Sequence, residues 1–169
     1  DPFLGIHGNK HKFSNPTKFL EQWRRGQVGD RIRLVVADQH NVTQLTSIVH
    51  QLSQGGQKGF DLMVDDGSHK HQDILQPWGV LWPLVAPGGI YVLEDTCTSY
   101  LSGYDEPAYG NETTSAVIRR FLSGDGIRSK FLKRSRALRL EQEIESATIV
   151  VPPLSTMDRS ETTIIVKKY

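Results

Sequence analysis

Apolar residues along the chain alternate between helical and strand-like spacing. Residues 16–25 read as a helix: Asn15 can cap it, Pro16 suits its first position, and Phe19, Leu20 and Trp23 share one face. Residues 31–37 (RIRLVVA) have the aliphatic, β-branched content of a strand ending at Asp38. A helix is predicted over 42–54, with Leu45, Ile48, Val49 and Leu52 at helical spacing and Gly55-Gly56 beyond it. Residues 60–64 (FDLMV) read as a short strand, apolar enough to be covered on both faces. Residues 74–85, with Trp78 and Trp82, read as a helix distorted by Pro77, then a turn at Pro87-Gly88-Gly89 and a buried strand over 90–93. Further on, 100–111 is loop-like, 114–122 a short helix and 127–140 a basic, helical stretch. Residues 147–151 and 162–168 are strands expected to pair with each other.

This order predicts an α/β fold: a mostly parallel sheet carrying a C-terminal antiparallel hairpin. A chain of 169 residues fits a single domain, here expected to span 1–169. The formal net charge of +1 argues against nucleic acid or a membrane surface as the main partner. One cysteine, Cys97, excludes an internal disulfide and a cysteine zinc site, and fits a reducing compartment. It reads as a small buried packing residue. No apolar run reaches the roughly 20 residues of a membrane span.

Ligands of open parallel sheets collect beyond the carboxyl ends of the strands. Three predicted strands end in acid there: at Asp38, at Asp65-Asp66-Gly67-Ser68-His69, and at Glu94-Asp95-Thr96. A single such aspartate often only caps the next helix. Two acidic pairs and a histidine on one rim point instead to a site. Asp66, His69 and Asp95 offer oxygen and nitrogen donors to a hard divalent cation that keeps open positions. A hydroxyl beside that cation loses its proton more readily, and an imidazole can accept it. Glu94 is a candidate second acid or substrate contact. His40 and His71 read as solvated loop residues. Arg119, Arg120, Arg128, Lys130, Lys133, Arg134, Arg136 and Arg139 form a basic cluster, read first as a solvated face balanced by Glu141, Glu143 and Glu145.

The string from Val64 through DDGSH, the LVAPGG of 84–89, the IYVLEDT of 90–96 and Thr98-Ser99-Tyr100 resemble a branch of the class I methyltransferases. This branch holds the metal-dependent macrolide-sugar O-methyltransferases of the mycinamicin type. The resemblance is close over residues 60–100 and looser elsewhere. It implies a Rossmann-like sheet, S-adenosylmethionine and Mg²⁺ as cofactors, and methyl transfer to a sugar or related hydroxyl on a small-molecule acceptor. Residue by residue it implies Asp66 and Asp95 as Mg²⁺ ligands, His69 as general base, and Asp38 and Asp65 on the cofactor side, Asp38 near the adenine. The Gly-rich turn that opens such domains does not precede the strand at 31–37, so the sheet is expected to be incomplete at the N-terminus. Two alternatives keep the fold. One is a degenerate methyltransferase-like subunit, docking in a homo-oligomer or larger assembly through the basic cluster. The other is a hydroxylase-like relative with iron at the same ligands.

Overall fold

Four strands form one sheet in the order β1-β2-β4-β3 in the computed structural model of the protein, which describes residues 37–54, 59–101, 110, 112–151 and 161–169. The strands are β1 (Phe60–Asp65), β2 (Val85–Leu93), β3 (Ile144–Val150) and β4 (Thr162–Lys167). Four helices accompany them: α1 (Val42–Gln54), α2 (His71–Leu81), α3 (Thr114–Leu122) and α4 (Arg134–Glu143). The helix expected over 16–25, all but the last residue of the strand over 31–37 and most of the loop over 100–111 lie outside the described residues.

The sheet is mixed rather than mostly parallel. β1 and β2 pair in parallel, whereas β2–β4 and β3–β4 are antiparallel. The expected C-terminal hairpin is present, but its second arm abuts β2. The reversal of direction therefore lies inside the sheet and not at its margin. β4 is the arm that suits the interior: Thr163 and Ile165 are buried, and Ile164 and Val166 are partly covered on the other face.

α1 starts where the sequence places it because Asn41 Oδ1 accepts from the Gln44 N–H at 3.0 Å, satisfying one of the free donors of the first turn. Its Leu45 packs with Ala37 and Val80. α2 begins three residues earlier than the apolar spacing suggests and stops at Leu81, where a 3₁₀ turn, Trp82–Leu84, leads directly into β2. Pro77 sits inside α2 and cannot donate to the Asp73 carbonyl one turn back. That carbonyl instead accepts from Gln39 Nε2 at 2.8 Å, so the helix continues past the proline with its backbone satisfied.

Pro87-Gly88-Gly89 is a bulge within β2: the register jumps from Phe60–Val85 to Leu62–Ile90. Gly88 takes φ +73, and a Cβ on Gly89 would lie 2.9 Å from the Phe60 and Ala86 carbonyl oxygens. Leu62 and Val64, on one face of β1, are more than half exposed, so this strand is not covered on both faces as its composition suggested. The predicted basic helix begins only at Arg134, because Gly124 and Gly126 take positive φ and Ile127 turns into the core before helical geometry resumes. The main core lies between the sheet and α2, α3 and α4. It includes Trp78, Trp82, Tyr91, Leu93, Ile118, Ile127, Leu140 and Ile165. Among the described residues no helix is long and apolar enough to cross a membrane.

Candidate active site

The parallel pair β1–β2 carries its carboxyl ends side by side, with Asp65 opposite Leu93 and the Glu94 N–H donating to the Asp65 carbonyl at 3.0 Å. The acidic segments that follow the two strands are thereby held at one rim.

After β1 the chain turns tightly through Gly67. A Cβ there would lie 2.3 Å from Gln39 Nε2, so any other residue would displace the Gln39 amide. Gln39 Oε1 accepts from the Ser68 N–H at 3.3 Å, while its Nε2 faces Asp65 Oδ1 at 3.3 Å. The Ser68 hydroxyl donates to the carboxylate of Asp73, a residue that is buried and also lies 3.0 Å from His40 Nε2. One buried amide and one buried carboxylate thus fix the loop between β1 and α2.

His69 and Asp95 are the two non-glycine residues with positive φ among the described residues, at +58 and +49. Such backbone costs on the order of 1–3 kcal/mol per residue and persists where surrounding contacts overdetermine it. Those contacts are present. The Thr98 hydroxyl donates to the His69 carbonyl at 2.9 Å, and the Thr96 N–H donates to the Glu161 carbonyl at 2.7 Å. The short 3₁₀ helix Thr96–Tyr100 joins the two. His69 is 3 % exposed, yet its Nε2 stands 3.7 Å from Asp66 Oδ1 and 3.7 Å from Asp95 Oδ2. The carboxylates themselves reach solvent, with side chains 51 % and 44 % exposed.

One ligand atom from each of Asp66, His69 and Asp95 lies within 4.8 Å of the other two. Two solvent-facing carboxylates around a buried imidazole suit a hard divalent cation that retains open positions, and the imidazole is placed to take a proton from a hydroxyl at the same point. These three residues, predicted from the segments that follow two separate strands, are brought together. Glu94 stays outside the group.

Asp65 points elsewhere. With Gln39, Leu45, Met63, Val64, Asp66, Gly67, Pro77, Leu81 and Tyr91 it lines a cavity of about 260 Å³ beside the rim. Removal from water pushes its carboxyl up to about 7 from 3.8; the Tyr91 hydroxyl, 3.4 Å from Oδ2, opposes that shift, and the neighbouring charge of Asp66 adds to it. Burial, followed by the charge of Asp65, raises the Tyr91 phenol well above its ordinary value. Asp38 is exposed in the turn before α1, accepting from the His40 N–H at 2.9 Å, and does not line the cavity.

Other expectations are corrected. His71 is buried on α2, where its Nδ1 accepts from the Thr114 N–H at 3.2 Å, whereas His40 is exposed in the turn before α1, as expected, beside Asp38 and Asp73. Cys97 is only partly buried. Within the basic cluster, Arg134 and Arg139 pair with Glu141 and Glu143, as expected of a solvated, balanced face, whereas Arg119 pairs with the buried Glu161. Sequence reasoning missed Gln39, Asp73, Tyr91 and Glu161, whose roles depend on long-range contacts. The one usable hint was Pro77, whose missing N–H demands a substitute donor for the Asp73 carbonyl.

The family described as a methyltransferase domain matches residues 4–96. The 8-demethyl-8-alpha-L-rhamnosyl tetracenomycin-C 2'-O-methyltransferase of Streptomyces olivaceus is 32% identical over 56% of this chain and 24% of its own length. Demethylmacrocin O-methyltransferase of Streptomyces fradiae is 33% identical over 53% of this chain and 22% of its own length, and the mycinamicin VI 2''-O-methyltransferase of Micromonospora griseorubida is 36% identical over 52% and 21%. The match therefore spans less than a quarter of each of these relatives. A methyltransferase of the mycinamycin biosynthetic pathway, MycE, solved with Mg, SAH and mycinamycin VI, superposes with a TM-score of 0.58 at 21% identity, covering 86% of this chain and 35% of that one. The fold is that of a class I methyltransferase, and the chain belongs to the methyltransferase-domain family, related to O-methyltransferases of the macrolide-sugar kind.

Proposed function

We propose that this protein transfers a methyl group from S-adenosylmethionine to a hydroxyl of a sugar or related small-molecule acceptor, with Mg²⁺ at the rim of the sheet. The observation that carries the reading is the convergence of Asp66, His69 and Asp95, two of them in left-handed backbone, beyond two parallel strands. The relatives that share this stretch bear the names of O-methyltransferases, two of them acting, by name, at sugar 2'- or 2''-positions. The solved MycE structure carries Mg and SAH.

In this reading Asp66 and Asp95 hold Mg²⁺, which supplies positive charge that favours the ionised form of the acceptor hydroxyl. S-adenosylmethionine supplies the electrophilic methyl group. His69 Nε2 takes the hydroxyl proton, and its buried ring keeps that nitrogen aimed between the two carboxylates. The cavity beside Asp65 would receive part of the cofactor, and Asp38, in the exposed turn next to it, would contact the adenine side. Alignment of acceptor oxygen and methyl group then provides much of the rate. Residues 1–169 act as a single unit.

Calorimetric titration with S-adenosylmethionine, with and without Mg²⁺ and with Asp66→Ala as control, tests the reading. Magnesium-strengthened binding that the control loses is the expected result. A folded protein that binds neither cofactor would overturn it.

A further inference from the structure

We infer that Glu161 is a positioning residue that sets the affinity of the metal site by holding the turn at Asp95. The inference rests on the proposed Mg²⁺ role of Asp66 and Asp95.

Glu161 immediately precedes β4 and is 4 % exposed. It grips one residue, Thr96, by both backbone and side chain. Its carbonyl accepts from the Thr96 N–H at 2.7 Å, and the Thr96 hydroxyl lies 2.9 Å from that carbonyl and 3.0 Å from Glu161 Oε1. The Ser115 hydroxyl on α3 sits 2.5 Å from the same Oε1 and 3.0 Å from the Thr96 carbonyl. Arg119, one turn further along α3, donates to Glu161 Oε2 at 3.0 Å and to the Tyr100 hydroxyl at 3.3 Å. Three pieces of chain distant in sequence thus meet at a buried carboxylate: the entry to β4, the turn after β2, and α3.

Thr96 is fully buried, and the residue before it is Asp95, in left-handed backbone. An aspartate in that conformation relaxes unless its neighbour is fixed. The clasp on Thr96 prevents this and leaves the Asp95 carboxylate facing His69 Nε2. The helix that Thr96 opens also carries Thr98, which fixes the His69 carbonyl, so the same clasp reaches both strained residues. Groups that orient metal ligands change metal affinity about 10–100-fold when they are removed.

The experiment titrates MgCl₂ into the protein by calorimetry and records Tm in chelator for wild type, Glu161→Gln, Thr96→Val, Thr96→Ser and the Glu161→Gln/Thr96→Val double variant. Glu161→Gln and Thr96→Val are each expected to weaken Mg²⁺ binding about tenfold or more. Thr96→Ser, which keeps the hydroxyl, should bind as wild type, and the double variant no more weakly than the weaker single. A lower Tm with unchanged Mg²⁺ affinity in Glu161→Gln would show a purely structural carboxylate and overturn the inference while leaving the metal site intact. If Glu161→Gln does not fold, equal Mg²⁺ affinities of Thr96→Val and Thr96→Ser overturn it. Wild type that binds no Mg²⁺ removes the metal reading and the inference together.

Discussion

The two ends of β2 treat charge in opposite ways. At the end where β2 begins, Lys167 Nζ lies 3.2 Å from Glu143, donates to the Val85 carbonyl at 3.0 Å and sits 5.5 Å from the Trp82 ring centroid. Trp82 Nε1 donates to the same glutamate at 3.0 Å. Lys167 and Glu143 thus each have an opposite charge and the Trp82 ring system beside them. Where β2 ends, Asp66 and Asp95 face a single imidazole at 3.7 Å, and among the described residues no Lys or Arg pairs with either. The first arrangement stabilises the fold. In the proposed reading the second leaves negative charge for a cation to offset, and it keeps two residues in costly backbone to do so. Stability and chemistry are thus assigned to opposite ends of one strand.

The largest expected effect is at His69. His69→Asn, chosen because asparagine tolerates positive φ, should lower methyl transfer about 100- to 10,000-fold while Mg²⁺ affinity changes only a few-fold. A variant with near-normal turnover would remove the base from the chemical end. Asp66→Ala is expected to cost about 100- to 1,000-fold in rate and to abolish the rise of Tm with Mg²⁺. Persistence of that rise would place the cation elsewhere.

Trp82→Ala probes the opposite end. Urea unfolding should show a loss of about 3–5 kcal/mol, with the Mg²⁺ affinity of the folded fraction unaltered. A change in that affinity would mean the two ends are coupled. Asp65 lies between the extremes. Its carboxyl stands near 7 in the folded chain against 3.8 ordinarily. Below about pH 4 both folded and unfolded forms are protonated, and the group is neutral toward stability. As pH rises from there to about 7 only the unfolded form ionises, so stability falls, and above 7 the penalty is constant. Asp65→Asn should therefore flatten this decline by about 4 kcal/mol in metal-free unfolding curves; an unchanged slope would show that the carboxyl ionises freely. Lys167→Met should cost least, about 1 kcal/mol, because Glu143 keeps Trp82 and Arg139 as partners.

Much of this was legible in one dimension. The helices at 42–54 and 114–122 and the pairing of the last two strands follow from local periodicity and caps, which involve only near neighbours. The trio Asp66, His69 and Asp95 could be read because strand ends of a parallel pair must lie together. Other features were not legible, since nothing local encodes them. β4 lies inside β3 because its buried Thr163 and Ile165 pack between neighbours chosen by the whole sheet. Gln39 and Glu161 look like ordinary surface residues until distant segments bring them an orphan carbonyl and a strained turn.

The sequence by itself determined the helices at 42–54 and 114–122 and the pairing of the last two strands, that acid and histidine follow successive strands, and the family to which the chain belongs. Tertiary structure alone decided that Asp65 turns into a cavity while Asp66 faces His69 Nε2, that the sheet is mixed, and that His69 and Asp95 are held in left-handed backbone. Local propensity is set by neighbours a few residues away. The direction of a side chain at a rim is set by hydrogen bonds that close over loops of tens of residues, and these exist only after the chain has folded.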